Sequence, residues 1–167
     1  MRLNIINIAI TGFRGYKDEV VYSFKDRTFI KGDNGLGKSS IGEAITWCLT
    51  GCDMWGNEKA TTKLVNDSKP KVTSVVMECY LDGETMTITR RKKGSSQDVF
   101  IDDKKSNTNE LSNLIFKSKD LFLSIFNPYY FPELTPKAAK ELLSSVLVPI
   151  KRDEIFKELG DYLTRSE

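Results

Sequence analysis

The sequence predicts a mixed α/β fold (α+β mixed), and three observations support it. A glycine-rich loop at residues 32–39 stands between a short β-prone run and a run whose apolar residues recur at helical spacing. Residues 72–101 alternate apolar and polar side chains, as antiparallel strands do. From residue 108 onward the apolar spacing is helical again. We therefore expect a strand, loop and helix unit, an antiparallel β-meander and a helical C-terminal part.

The bulk composition is that of an ordinary globular protein. The 167 residues have about the length of one domain, and 40% of them are hydrophobic and 29% charged. No apolar run approaches the roughly 18 residues of a membrane helix. Asn4 and Asn7 interrupt any apolar core of a secretory signal. We expect a cytoplasmic protein with no membrane partner, whose main domain spans residues 1–150.

Cysteine and histidine usage excludes two kinds of site. The chain has three cysteines and no histidine, so a serine or cysteine triad of the usual kind is disfavoured. Cys48 and Cys52 lie one helical turn apart, but two thiolates alone make a poor zinc site. The odd number of cysteines shows no disulfide pattern. We expect three free thiols and a chemistry that comes through a bound ligand.

The N-terminal half is predicted to begin with strands. The β-branched run at residues 3–10 predicts a strand, alternation over 20–24 a second one, and residues 27–30 a short third one before the loop. The helix after the loop should end at Gly51, because glycine suits a left-handed cap. Residues 52–70 are predicted to form a loop with some short helix.

The C-terminal half is predicted to be a meander followed by helices. Asp82 and Gly83 predict a tight hairpin turn, and a third strand of the meander follows at residues 98–101. Thr108, Ser118 and Thr135 are the expected helix N-caps, and Asn127 ends the second of these helices. Residues 151–167 have amphipathic spacing, which predicts the start of a helix and the root of a coiled coil.

The loop at residues 32–39 has the composition of a phosphate-binding P-loop. Gly32, Gly35 and Gly37 allow the backbone to turn tightly and to aim several N–H groups at one anion. A helix that begins at the end of the loop would add the positive end of its dipole. Nucleotide binding is therefore the leading functional hypothesis.

Three polar side chains complete the predicted site for ATP and Mg²⁺. Lys38 would reach the β- and γ-phosphates, and the Ser39 hydroxyl would occupy one position on Mg²⁺. Ser40 follows at the position that would contact the α-phosphate. The motif thus predicts a MgATP site that extends over residues 32–40.

Residues 10–16, Phe24 and residues 29–45 together resemble the N-terminal half of SMC/RecF/RecN/SbcC-type ABC ATPase heads, and the resemblance is most specific over residues 3–51. It implies a P-loop NTPase fold, the N-terminal lobe of an ABC ATPase head. The family couples ATP-driven head dimerisation to DNA repair, recombination or chromosome organisation. The implied partners are a second head and DNA, and family analogy suggests a nuclease or loader that no residue here identifies.

Several site residues follow from this resemblance alone. Arg14 matches the family arginine that approaches the nucleotide phosphates, with a solvated turn arginine as the alternative. Asn34 matches the polar residue of the loop, with a plain turn former as the alternative. Residues 61–63 lie where related heads bring a loop near the base and ribose.

The sequence also departs from the family pattern. The single glutamine, Gln97, comes too early for the Q-loop, and Asn127 is its best positional substitute, with a helix C-cap as the alternative. Residues 147–150 do not form a Walker B strand, because a proline and two basic residues precede Asp153 and Glu154. The serine-rich signature is also missing. We expect a truncated head that hydrolyses ATP only in a longer, dimerised protein.

Two other functions compete with this interpretation. A small P-loop kinase could use the basic run at residues 90–93 to hold a substrate phosphate. A DNA-binding module with an inert loop could use the same run together with residues 104–105. The run could also be only a solvated strand edge that discourages strand pairing.

Overall fold

The computed structural model describes residues 2–116 and 118–147 of the chain. Six strands in this part form an antiparallel sheet in the order β2-β1-β3-β4-β5-β6. They are β1 Leu3–Thr11, β2 Val20–Ser23, β3 Thr73–Leu81, β4 Glu84–Lys93, β5 Ser96–Ile101 and β6 Lys104–Ser106. The expected mixed α/β fold is confirmed.

Five α-helices and one 3-10 helix accompany the sheet in the described residues. They are α1 Lys38–Thr50, the 3-10 helix Lys59–Leu64, α2 Thr108–Ile115, α3 Lys119–Phe126, α4 Tyr130–Glu133 and α5 Pro136–Val146. The chain divides into two compact units, Met1–Tyr130 and Phe131–Glu167. The sheet and helices α1 to α3 lie in the first unit, and α5 lies in the second.

The core of the first unit lies between one face of the sheet and α1. Alternate residues of β3 are buried from Thr73 to Cys79, which is the period of two that predicted this strand. The Cys48 thiol of α1 lies 3.8 Å from the carbonyl oxygen of Val75 in β3 and 3.7 Å from that of Ile88 in β4. Helix α1 is thus packed directly on the two central strands.

Most predicted helix ends are confirmed, and one is wrong. Gly51 caps α1 with φ 75°, and the Ser118 and Thr135 side chains accept N–H bonds at the starts of α3 and α5. Helix α2 is capped by Asn107, whose side chain accepts from the Glu110 N–H, rather than by Thr108. The Thr108 hydroxyl instead accepts a bond from Arg90.

The short strand expected at residues 27–30 is absent from the structure. Thr28 bonds through its hydroxyl to the backbone N–H of Lys25 at 2.9 Å, a local turn that competes with extended pairing. Phe29 is 81% exposed and Ile30 45% exposed, so this apolar run has little cover among the described residues. A strand needs a hydrogen-bonded neighbour, and β2 ends the sheet on this side.

Two further differences concern the meander. Strand β5 begins at Ser96, so Gln97 lies in a strand and not in the expected connector. Strand β6 was not predicted, because its three polar residues show no alternation of apolar and polar side chains. The hairpin at residues 82–83 and the 3-10 helix within the loop at 52–70 are confirmed.

None of the helices between residues 2 and 147, leaving aside position 117, is long and apolar enough to cross a bilayer. The predicted domain end at residue 150, the amphipathic segment 151–167 and the residues compared with a Walker B strand from 148 onward lie outside the described residues.

Candidate functional site

The glycine-rich loop leads directly into the N-terminus of α1. Gly32, Gly35 and Gly37 have φ values of 155°, 87° and 82°, a region that residues with a Cβ rarely adopt. Gly37 is the N-cap of α1, and no side chain caps the helix there. The Ser40 N–H donates to the Gly37 carbonyl oxygen at 3.0 Å. The other first N–H groups of a helix have no acceptor within the helix, so this end is open to an anion.

The Lys38 ammonium group lies across the same loop. Its Nζ atom donates to the carbonyl oxygens of Gly32 at 2.8 Å and Asp33 at 2.7 Å. A bound anion would offer stronger acceptors than these carbonyls, because charge-assisted hydrogen bonds are roughly twice as strong as neutral ones. The cation is therefore already held beside the loop.

The other predicted loop residues have little cover. Asn34 and Ser39 are exposed, and Ser40 is half-buried in the first turn of α1. A Cβ atom on Gly35 would meet nothing within 4 Å, so the space above the loop is open. Ser39 is thus accessible from solvent.

Tyr16 is hydrogen-bonded to the end of the glycine-rich loop, a role that the sequence analysis missed. Its hydroxyl donates to the Gly37 carbonyl oxygen at 3.0 Å and accepts from the Tyr22 hydroxyl at 3.1 Å. Burial, with the Tyr22 hydrogen bond next, raises the pKa of Tyr16. A Cβ atom on Gly37 would lie 3.0 Å from this hydroxyl. The only signal in the sequence was the position of Tyr16 in the turn that resembles the family.

Arg14 is held by protein groups. Its Nε and Nη2 atoms donate to the two carboxylate oxygens of Glu43 in α1, at 2.8 and 2.6 Å, and Nη1 donates to the Lys63 carbonyl oxygen at 3.0 Å. Its backbone has φ 48° and its N–H donates to the Leu64 carbonyl at 2.7 Å. Arg14 therefore has protein partners at all three guanidinium nitrogens, and its contact with a nucleotide stays a prediction.

A cavity of about 400 Å³ lies beside the first turns of α1. Its lining is formed by Arg14, Gly15, Ser40, Glu43, Lys63, Val65, Asn66 and Asp67. The structure thus brings three residues of the predicted site, Arg14, Ser40 and Lys63, to one cavity. A larger cavity of about 750 Å³ next to β1 and Tyr80 contains none of the predicted site residues.

Thr61 and Asn127 are committed elsewhere. The Thr61 hydroxyl donates to the Glu58 carbonyl at 3.0 Å and accepts from Gln97 at 3.2 Å. Asn127 ends α3, where its amide donates to the Met54 carbonyl at 3.0 Å and accepts from the Tyr129 N–H at 3.1 Å. Both ends of the Asn127 amide have protein partners, so its contacts favour the C-cap interpretation, and the Q-loop role stays an unsupported prediction.

The basic run at residues 90–93 does not form one patch. Arg90 is 1% exposed and Lys92 is also buried, whereas Arg91 and Lys93 lie on the opposite, outer face of β4. Arg91 stacks over the Phe100 ring at 5.3 Å. The expectation of four neighbouring phosphate contacts is wrong, because successive side chains of a strand point to opposite faces.

The three thiols are free and buried, and the described residues contain no cluster of acidic and cysteine side chains that could hold a metal ion. Burial raises the pKa of Cys48 to about 12, and that of Cys79 to about 11. The Cys52 thiol is paired with the Thr50 hydroxyl at 2.8 Å.

Comparisons with known proteins agree with the fold. A family model described as the RecF/RecN/SMC N terminal domain matches residues 4–123. The DNA double-strand break repair Rad50 ATPase of Thermoplasma acidophilum is 31% identical over 179 residues, which cover 95% of this chain and 19% of the relative. The SMC head domain from Thermotoga maritima is similar in structure, with a TM-score of 0.52, 23% identity, and coverage of 68% of this chain and 41% of that one. This chain thus spans a minor part of both proteins.

Proposed function

We propose that this chain, which belongs to the RecF/RecN/SMC N-terminal domain family, binds MgATP through residues 32–40 as the nucleotide-binding front half of a DNA-repair ATPase head. One observation carries the proposal. Helix α1 begins without a side-chain cap at a loop with three positive-φ glycines, and the Lys38 ammonium group lies across that loop. Uncapped N–H groups and a cation held beside them are what a polyphosphate requires.

Each residue of the proposed site would contact a different part of MgATP. The N–H groups at the start of α1 would bind the β- and γ-phosphates, and Lys38 would exchange its two carbonyl acceptors for phosphate oxygens. Ser39 would hold Mg²⁺, which neutralises phosphate charge when bound. Ser40 and Arg14 border the adjoining cavity, where the α-phosphate side of the nucleotide would lie.

Hydrolysis is proposed to need a second surface. The sequence carries no apolar run followed directly by Asp-Glu, the pattern that would supply a carboxylate for the attacking water. We therefore place hydrolysis in an assembly in which two heads close around ATP. The Rad50 relative is described as an ATPase, and this chain covers 19% of its length.

DNA is the proposed macromolecular partner, since the Rad50 relative is described as a DNA double-strand break repair ATPase. The proposed location is the cytoplasm. Arg91, Lys93 and Lys105 share the outer face of the β4, β5 and β6 ladder. The three side chains of this face could contact DNA phosphates, whereas Arg90 is buried on the other face and could not. A nuclease or loader partner stays a prediction.

The kinase alternative loses its substrate site in this structure. It needed the run at residues 90–93 to gather around one phosphate, but Arg90 and Lys92 are buried on the other face of the strand. A DNA-binding module with an inert loop remains a distinct alternative. Nucleotide binding separates it from the proposed function.

The test is the affinity of the chain for a fluorescent ATP analogue with and without Mg²⁺. Lys38→Ala should weaken binding by more than about tenfold, since a hydrogen-bonded charge partner is lost. Lys104→Ala, which removes an exposed lysine from β6, is the matched control and should leave the affinity unchanged. Tight ATP binding by Lys38→Ala would contradict the proposal and favour an inert loop.

A further inference from the structure

Glu43 has no role in the proposed binding of MgATP described so far, yet it touches the site. It lies in α1 three residues after Ser40 and four after Ser39, a spacing that brings side chains to one face of a helix. Glu43 and Ser40 both line the cavity of about 400 Å³. A carboxylate at this place would repel a phosphate unless a neighbouring cation neutralised its charge.

The neighbouring cation is Arg14. Glu43 engages Arg14 side-on, with Nε to Oε2 at 2.8 Å and Nη2 to Oε1 at 2.6 Å. Two parallel bonds between planar groups fix the plane of the guanidinium as well as its position. The Glu43 side chain is 20% exposed and that of Arg14 36% exposed, so the pair is shielded more than a solvated surface pair.

This pairing leaves Arg14 able to bind a ligand. A guanidinium group has five N–H bonds, of which Glu43 takes two and the Lys63 carbonyl takes one. One N–H bond remains on each Nη atom, at the end of the side chain. The contacts with Glu43 and Lys63 therefore orient Arg14 without using it up.

The backbone of Arg14 is fixed as well. Its φ of 48° is uncommon for a residue with a Cβ, and its N–H is bound by the Leu64 carbonyl at 2.7 Å. The Asn66 amide binds its carbonyl oxygen. Both ends of Arg14 are thus preorganised before any ligand arrives.

We propose that Glu43 is a positioning residue of the nucleotide site, which holds Arg14 beside Ser40 so that the two remaining Nη N–H bonds meet a nucleotide phosphate. The inference rests on the proposed MgATP binding and deepens it. Ordering a long side chain in advance removes an entropy cost from ligand binding. Glu43 acts only through Arg14, and this dependence can be measured.

The test is a double-mutant cycle on MgATP affinity with Glu43→Ala, Arg14→Ala and the double variant. Glu43→Ala should weaken binding by about threefold to tenfold in the wild-type background and by less than twofold when Arg14 is absent. Glu43→Gln keeps one acceptor for Arg14 and should give an intermediate loss. A gain in affinity on Glu43→Ala, or equal losses in both backgrounds, would overturn the inference.

Two controls complete the design. Asp98→Asn breaks the ion pair with Lys105, 2.8 Å long, on the outer face of the sheet, and should not change MgATP affinity. Arg14→Gln gives a second background if Arg14→Ala fails to fold. Failure of the wild-type chain to bind MgATP would overturn the proposed function and this inference together. Binding that Lys38→Ala abolishes and Glu43→Ala leaves unchanged would overturn this inference alone.

Discussion

A Cβ atom on residue 51 would lie 2.8 Å from Nη1 of Arg90, so a glycine at this position and the buried arginine depend on each other. Arg90 Nε donates to the Cys48 carbonyl oxygen at 3.0 Å in the last turn of α1, and Nη1 donates to the Thr108 hydroxyl at 3.2 Å. A cation at the C-terminal end of a helix is favourable for the helix dipole. Arg90 therefore links the C-terminal end of α1 to β4 and to the start of α2.

Gly51→Ala should lower the free energy of unfolding more than a glycine substitution without this neighbour. Gly94→Ala is the matched control, because Gly94 also has positive φ, 60°, but no atom within 4 Å of its Cβ position. In both variants a residue with a Cβ must adopt the left-handed region, which lowers the free energy of unfolding by about 1–2 kcal/mol. Because it must displace Arg90, Gly51→Ala should lose about 1–3 kcal/mol more of the free energy of unfolding than the control, as measured by urea denaturation followed by tryptophan fluorescence. Equal losses in the two variants would contradict this relationship.

Arg90→Ala should destabilise the fold, whereas Arg91→Ala should not. Loss of the Arg90 side chain removes two hydrogen bonds of a buried cation and leaves a void, for which we expect about 2–4 kcal/mol. The exposed Arg91 side chain stacks on the half-buried Phe100 ring and should contribute less than about 1 kcal/mol. Urea denaturation of both variants measures the difference. A similar stability of the two would mean that the alternation of β4 is misplaced.

The outer face of β4 gives a separate prediction about DNA. Replacing Arg91 and Lys93 together by glutamine should weaken DNA binding at low salt and reduce the slope of log affinity against log salt by up to about 2. Lys71→Gln changes an exposed lysine outside this face and serves as the control. A salt dependence that the double variant leaves unchanged would remove this face as the DNA surface.

Much of the fold was predictable because its signals are local. Alternation in β3, the turn at residues 82–83 and the caps at Ser118 and Thr135 each depend on a few neighbouring residues, and the structure contains them all. The run at 27–30 has the composition of a strand but no partner in the described sheet, and pairing is not encoded within four residues.

The loop of the candidate site could be proposed from the sequence, but the residues that contact and position the loop and Arg14 could not. The glycines, Lys38 and Ser39 follow from a motif, whereas Tyr16 and Glu43 reach the site from a turn and from the second turn of α1. Their contacts depend on how β1 and α1 pack, which no spacing reveals. Arg90 shows the opposite error, since a run of four basic residues was interpreted by charge although strand alternation already predicted two faces.

Tyr16→Phe should loosen the loop without disturbing the fold as a whole. The variant loses the hydroxyl bond to the Gly37 carbonyl, for which we expect about 0.5–1.5 kcal/mol of stability and a several-fold lower MgATP affinity. Tyr22→Phe removes only the outer bond of the chain of hydroxyls and should have the smaller effect on affinity. Equal effects of the two variants on MgATP affinity would show that the bond to Gly37 is not what supports the loop.

The pH dependence of the same variant has a definite sign. The pKa of Tyr16 is raised in the fold, because burial and the Tyr22 hydroxyl disfavour the phenolate. The stability that this provides is present below the unfolded pKa of about 10 and is lost as the pH rises above it. Wild type should therefore lose stability more steeply than Tyr16→Phe above about pH 10, as measured by urea denaturation across this range.

The three thiols should be unreactive in the native chain at pH 8. Cys48, Cys52 and Cys79 are all buried, and burial raises the pKa of each, to about 12 for Cys48 and about 11 for Cys79. Because the thiolate is the reactive form, both access and ionisation are lacking. A chromogenic disulfide reagent should titrate three thiols in urea and fewer than one, on the time scale of minutes, in the native state.

The reaction also reports on stability. Since the pKa of Cys48 is raised from about 9, the protonated thiol stabilises the fold below about pH 9, and this contribution is lost as the pH rises towards 12. Labelling should therefore accelerate between these values more than the ionisation of an exposed thiol would predict. Gly51→Ala, which weakens the helix end that carries Cys48, should label faster at pH 8 than Gly94→Ala. Rapid labelling of one thiol in the native wild type would contradict the packing of α1 on β3 and β4.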